Sequence, residues 1–281
     1  MTEAKLPEEI IHTILTLAIP CFSPESFLRY PRDDGPRWTQ ERPGALRVSK
    51  RWYRIVIPMV YEGVALSESK HTSALARLVK ANPGVGRAIR YLRIEGGGMT
   101  RELRTLARHA PNIHTVYVST PSRSADSLQQ LEKLQNAVPD LRPTTLYIYA
   151  EASSFSYLKR EQNEMVLQGI VEAWSSVTEI HFPYQQSVGD RWATVLQKLP
   201  LLREVHVPTP TEEFSPTRSS WFTRNRWWEN RTQLEWVSGA PNFKRFVFHG
   251  EEAGKHVVES CLKREGLERL LQKIVFMRDK S

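Results

Sequence analysis

Few residues in this chain of 281 are spaced as catalytic groups would need. Cys261 and His256 stand five apart in a helical stretch, so they point to different faces. No His-Glu-x-x-His or Gly-x-Ser-x-Gly motif occurs. Glu8 and His12 share a helical face, where a pair at this spacing stabilises the helix itself. We therefore expect no catalytic residues and a protein that is not an enzyme.

The best candidates for metal ligands are His181 and His206, which are accompanied by Glu179 and Glu204. If they lie on neighbouring strands, their imidazole and carboxylate groups could reach one zinc ion. No Cys-x-x-Cys pair strengthens that case, because the two cysteines are far apart in the chain. The sequence as a whole argues against it, and we predict no metal and no cofactor.

The composition is that of an ordinary globular protein, with 40% hydrophobic and 25% charged residues and a net charge of +8. Two distant cysteines exclude a secreted disulfide framework. The most apolar stretch, residues 10–22, is interrupted by His12 and Pro20, so we find neither a signal peptide nor a membrane span. We expect an intracellular protein, cytoplasmic or nuclear, with no membrane partner.

Two apolar segments near the N-terminus are predicted to be helical. The first begins at Pro7, whose ring suits a first helical turn, and Glu8 and Glu9 follow where the helix dipole favours negative charge. Residues 30–44 are rich in proline, glycine and charge and predict a loop. The second apolar segment covers residues 45–56. Together they predict a helical module over residues 1–60.

The order of residues in these segments resembles the F-box motif. The chain has Leu6-Pro7-x-Glu9-Ile10, then Ile14-Leu15, then Val48-Ser49-Lys50-Arg51-Trp52, and finally Pro58 ahead of Tyr61. The resemblance covers residues 5–62, and the loop at 30–44 separates its halves further than is usual. In this long insert the chain resembles F-box domain-containing proteins of mushroom-forming fungi.

The resemblance implies a module that docks on a Skp-type adaptor, which bridges to the cullin of a ubiquitin ligase. The residues that it implies for adaptor contact are Leu6, Pro7, Ile10, Ile11, Ile14, Leu15, Val48, Trp52 and Ile55. The alternative is that these apolar residues only make a helical hairpin packed on the rest of the chain. The same residues can serve in adaptor contact and in internal packing, because so small a module cannot bury all of its apolar surface alone.

From residue 61 onward, strand-like hexapeptides alternate with helix-like stretches. Apolar residues occupy the first, fourth and sixth positions, as in Ile113/Val116/Val118, and several hexapeptides have a proline two residues before them. Eight such segments occur, with successive fourth positions 24 to 41 residues apart. These lengths are similar to those of leucine-rich repeats, so residues 61–281 are expected to form an irregular α/β solenoid with a parallel sheet. The alternative is a doubly wound sheet in which the strand order reverses.

The fifth positions and those after the sixth alternate with the core positions, so they are expected to face outward on the shared sheet. They are rich in Tyr, His and Arg, which are common anchors at protein interfaces. The candidate substrate-binding residues on this face are Arg93, Tyr117, Tyr147, Tyr149, His181, His206 and His249. Trp227 and Trp228, in a Trp/Arg-rich insert at 221–236, are further candidates, although packing of that insert on its own scaffold is favoured.

These observations predict a non-catalytic substrate-recognition subunit of a Skp-cullin-F-box (SCF) ubiquitin ligase. It would dock on the adaptor through its N-terminal helices and hold an unknown protein substrate on the solenoid, bringing it close to the ubiquitin-charged enzyme. One alternative is a basic solenoid that binds nucleic acid through Arg and Trp, although the partner we expect is a protein. Another is an F-box protein that acts outside ubiquitination.

Overall fold

The structure is a computed structural model, which describes residues 6–18, 24, 27, 49–95, 100–120, 135–136, 140–150, 165, 168–182, 190–208, 231–249, 255–256, 258–259, 262–263 and 267–277. Within these ranges eight helices and eight strands are defined. The helices are α1 (Glu8–Ala18), α2 (Lys50–Val60), α3 (Ser69–Ala81), α4 (Pro83–Ala88), α5 (Thr100–His109), α6 (Asp190–Lys198), α7 (Arg231–Ser238) and α8 (Glu268–Leu271). Residues 168–173 are also helical.

The strands form one sheet in which every neighbouring pair is parallel. They are β1 (Gly63–Leu66), β2 (Tyr91–Ile94), β3 (Thr115–Thr120), β4 (Thr145–Ala150), β5 (Glu179–His181), β6 (Glu204–Pro208), β7 (Arg245–His249) and β8 (Ile274–Met277). Their order in the sheet is their order in the chain, from β1 to β8. The predicted α/β class with a parallel sheet is therefore confirmed, and the doubly wound alternative is wrong, because the strand order does not reverse.

The register of the sheet follows the hexapeptide pattern. All eight fourth positions lie in one cross-strand row: Val64, Leu92, Val116, Leu146, Ile180, Val205, Phe246 and Ile274. Six of these are fully buried, and the two at the ends of the sheet pack against the core. A shift of one residue in any strand would turn these side chains to the opposite face, so their burial fixes the register.

Strands β2 to β7 are entered through the same backbone connection. One carbonyl accepts the N–H groups of two successive residues of the next unit, and the carbonyls of Glu62, Arg90, His114, Thr144, Thr178 and Arg203 do so in turn. In both Ala-Pro-Asn turns, the asparagine side chain adds a hydrogen bond to the preceding unit. Asn112 donates to the Arg87 carbonyl and Asn242 to the Pro200 carbonyl, both at 2.6 Å.

The apolar residues form two clusters. The larger runs along the helix-covered face of the sheet and includes Trp174, Phe182 and Trp192. The smaller joins α1 to α2 through Ile11, Leu15 and Val56. Helix α2 takes part in both clusters, since its residue Ile57 belongs to the larger one. The helical module is thus packed on the start of the sheet.

Of the helices within the described ranges, none has the length and apolar character needed to span a bilayer.

Candidate functional site

Helix α1 is apolar on two faces, and only one of them is covered by the described residues. Ile11 and Leu15 are buried against α2, with 5% and 1% of their surface exposed. Leu6, two residues before α1, and Ile10, Ile14 and Leu17 on it form a second, adjacent stripe and are 50%, 46%, 43% and 83% exposed. An ordinary surface helix has a single apolar stripe with polar residues opposite. A second, exposed stripe is a typical feature of a binding surface. We call these four residues the outer face of α1.

Polar contacts hold α1 on α2. The Arg51 guanidinium donates to the Leu6 carbonyl at 2.6 Å, and Arg51 and Arg54 both pair with the Glu8 carboxylate. At the start of α2, the Ser49 hydroxyl accepts the N–H of Trp52 at 3.2 Å, which caps the helix. These contacts fix the Leu-Pro segment where α1 begins. Glu8 is therefore engaged with α2 rather than with His12.

The residues implied for adaptor contact fall into three groups. Leu6, Pro7, Ile10 and Ile14 are exposed, whereas Ile11 and Leu15 are buried between the two helices. Trp52 and Ile55 are half-buried beside the smaller cluster. Val48 lies outside the described residues. Four of the nine are thus exposed, and Leu17, which was not among them, extends the same stripe.

The fifth positions of the hexapeptides also form one cross-strand row, from Ala65 to Val275. This row is not open along its length, which corrects the expectation of an outward-facing surface. Within this row Arg93, Tyr117 and His206 are buried, whereas Tyr147 and His181 are half-buried. Two residues further along their strands, Tyr149 is buried and His249 is half-buried. The cover near Arg93 comes from a distant part of the chain, because its guanidinium donates to the Phe27 carbonyl.

The contacts of Arg93 within the protein indicate a role in folding rather than in binding a partner. Its Nε donates to Glu95 Oε1 at 2.5 Å, and its guanidinium lies 4.2 Å from the centre of the Tyr117 ring. A planar cation over an aromatic face is a favourable arrangement when it is shielded from water. In this structure, Arg93 and Tyr117 thus help to close the face at β2 and β3.

Beyond Tyr117 the row continues as a stack of rings. The ring centres are 6.5 Å apart from Tyr117 to Tyr147, 4.0 Å from Tyr147 to His181 and 3.8 Å from His181 to His206. The ring of His249, which is diagonal to His206 on β7, extends the stack with its centre 5.1 Å from that of His206. Parallel pairing of adjacent strands produces this stack, because residues directly opposite each other are separated only by the strand spacing.

Three of these rings come together with a carboxylate at strands β5 to β7. One nitrogen from each of His181, His206 and His249 lies within 4.8 Å of the others. His206 Nδ1 is 2.8 Å from His249 Nε2. The Glu179 Oε1 atom is 2.6 Å from His181 Nε2 and 3.0 Å from His206 Nε2. We call His181, His206, His249 and Glu179 the histidine cluster.

Burial and hydrogen bonding set the charges in this cluster. The hydrogen bond with His181, followed by the contact with His206, holds the pKa of the Glu179 carboxyl well below its usual range. Burial lowers the pKa of His181 to about 4, although the bond to Glu179 opposes this shift. Burial likewise raises the pKa of Tyr147 beside them. At neutral pH the cluster therefore combines an ionised carboxylate with a neutral His181 imidazole.

The sequence pattern identified only part of this cluster. It paired His181 and His206 with Glu179 and Glu204 but did not place His249 with them. The missing signal was the diagonal relation between strands: His206 is opposite Val247, and His249 stands two residues further along the same face. Trp227 and Trp228 lie outside the described residues.

A scan of the chain against protein-family models finds no match, and a search of the curated proteins finds no significant one.

Proposed function

We propose that this protein is the substrate-recognition subunit of an SCF-type ubiquitin ligase, docked on a Skp-type adaptor through α1 and α2. The observation that carries the proposal is the outer face of α1. Four large apolar side chains, on α1 and just before it, remain 43% to 83% exposed beside a stripe that is already buried. These residues belong to the segment that resembles an F-box, and an apolar groove on a partner would remove them from water.

We assign adaptor binding to the helices of the smaller apolar cluster and substrate binding to the sheet that carries the larger one. The smaller cluster anchors α1 to α2, while the larger one supports an eight-stranded sheet built from successive strand-and-helix units. We interpret the sheet region as an irregular leucine-rich-repeat-like solenoid. It would hold a protein substrate at a fixed distance from the adaptor, and half-buried Tyr147 and His249 are candidates for contact.

The test is co-purification of the full chain with a Skp-type adaptor, comparing the wild type with Ile10→Ser/Ile14→Ser. We expect this double variant to lose the adaptor, because it removes two apolar anchors from the exposed stripe without touching the buried residues Ile11 and Leu15. A matched control is Glu9→Ser/Thr13→Ser, which changes an exposed pair at the same spacing on the same helix.

Retention by the wild type and the control, with loss in the Ile10/Ile14 variant, would support the proposal. If the wild type itself retains no adaptor while its circular dichroism and thermal unfolding are those of a folded protein, the proposal is wrong.

A further inference from the structure

We propose that His181, His206 and His249 bind one divalent zinc ion, with Glu179 orienting the rings from the other side. The inference does not depend on adaptor docking, because the histidine cluster lies on strands β5 to β7 and not on α1 or α2. It rests on the position of three imidazoles and one carboxylate on consecutive strands.

The three strands bring the ligands together without help from a loop. His181 and His206 are directly opposite each other on β5 and β6, and His249 lies diagonally on β7. In a tetrahedral zinc site with Zn–N bonds of about 2.0 to 2.1 Å, ligand nitrogens are about 3.3 Å apart. His206 Nδ1 and His249 Nε2 are 2.8 Å apart, and one nitrogen from each of the three rings lies within 4.8 Å of the others, so small shifts would suffice to reach this geometry.

The carboxylate selects the ring tautomer that metal binding requires. Glu179 faces Nε2 of both His181 and His206 and accepts a hydrogen bond from His181. A proton held on Nε2 leaves the Nδ1 lone pair of the same ring available to an ion. Carboxylates that hydrogen-bond the outer nitrogen of a ligating histidine are the usual support of such sites.

The surroundings of His206 are a second, independent observation. It is only 8% exposed, and its Nε2 atom is buried 3.0 Å from Glu179 Oε1 but poorly aligned for a hydrogen bond. Its Nδ1 lies 2.8 Å from His249 Nε2, a contact in which one nitrogen must donate and the other accept. A cation bound by His206 Nδ1 and His249 Nε2 would accept a lone pair from each. The His206 ring could then turn so that its Nε2–H group points at Glu179.

The local charge also suits a dication. Glu179 and Glu204 both approach His206, with the Glu204 Oε2 atom 3.6 Å from Nε2, and Arg245 neutralises part of the charge on Glu204. Binding requires one adjustment. The rings of His181 and His206 are stacked, so one must turn for both lone pairs to meet at a point. The ring torsion of histidine is broad, so this turn is a small rearrangement.

Imidazole ligands bind zinc, copper, nickel and iron, and three of them with an open fourth position is a set that Zn²⁺ favours. The first experiment strips the full-length protein with a chelator and titrates it with ZnCl₂ in competition with a chromophoric zinc indicator. We expect one tight equivalent. His206→Asn should weaken binding by at least about tenfold, because it removes a ligand. Glu179→Gln should weaken it by about 10- to 100-fold, because the carboxylate no longer orients the histidine rings.

The matched control is His71→Asn, which removes an exposed histidine on α3 and should leave zinc affinity unchanged. Circular dichroism of each variant checks that it folds. If the wild type binds no equivalent of zinc more tightly than the indicator, or if His206→Asn and His71→Asn bind it equally well, the site does not exist.

A second measurement uses the wild type alone, so it does not depend on any variant folding. Diethyl pyrocarbonate is applied with and without one equivalent of ZnCl₂, and the modified histidines are identified by mass spectrometry. We expect zinc to protect His249, which is half-buried, while His71 and His256 react at the same rate in both samples. Equal modification of His249 in both samples would overturn the proposal.

Discussion

At the scale of single residues, burial and a hydrogen bond fix the protonation states of His181 and Glu179. The carboxylate is ionised and accepts a hydrogen bond from an imidazole that burial keeps neutral. Glu204, His206, His249 and Tyr147 face the same pair from the strands on either side. Adding a proton to His181 would place a second charge in a site with little access to water.

This arrangement predicts acid sensitivity of the metal-free protein. An unfolded histidine takes up its proton near pH 6.5, whereas His181 in the folded chain does so near pH 4. The unfolded state therefore binds more protons as the pH falls from 6.5 to 4, and the free energy of unfolding should decrease over that window. The contribution of His181 reaches up to about 3 kcal/mol, and Glu179, whose pKa is also lowered, adds in the same direction at lower pH.

Urea unfolding at pH 7 and pH 4.5, in the presence of a chelator, measures this effect. His181→Phe preserves a ring between Tyr147 and His206 and should reduce the loss of stability between the two pH values. His71→Asn should not. An equal loss in the wild type and in His181→Phe would contradict the role assigned to this residue.

At the scale of elements, α4 packs closely on the end of α5. A Cβ atom added at Gly86 would lie 2.0 Å from the backbone carbonyl oxygen of His109. Backbone cannot move aside as a flexible side chain can, so Gly86→Ala should destabilise the protein by about 2 to 3 kcal/mol. Gly84→Ala is the matched control in the same helix, because its added Cβ meets only the side-chain oxygen of Asn82, at 3.1 Å.

Chemical denaturation of both variants measures the difference. We expect a lower midpoint for Gly86→Ala and a change of about 0.5 kcal/mol or less for Gly84→Ala. Similar midpoints for the two variants would mean that α4 does not pack on α5 as described.

The same elements show what the sequence could and could not predict. The hexapeptide pattern placed all eight strands and their register, because a side chain on the wrong face would expose an apolar row. It missed α4, since Pro83, Gly84 and Gly86 leave too few apolar residues for a helical period. It also missed the cover over Arg93, because the Phe27 carbonyl is 66 residues away and no local pattern records that contact.

At the scale of the whole molecule, the helical module and the sheet are joined through the packing of one shared helix. Helix α2 contributes Val56 to the smaller cluster and Ile57 to the larger one, so adjacent residues belong to both. Any partner bound to the outer face of α1 would therefore be held in a defined direction relative to the sheet. A substrate receptor needs this property, because its substrate must be presented at a fixed position.

The most direct test of this account is calorimetric titration of a purified Skp-type adaptor into the full chain at several salt concentrations and temperatures. We predict one-to-one binding with a negative heat-capacity change, because the contact buries apolar surface. Its affinity should be nearly independent of salt. Absence of binding to the folded chain would contradict the account. So would an affinity that falls steeply with salt, which is typical of contacts between charged groups.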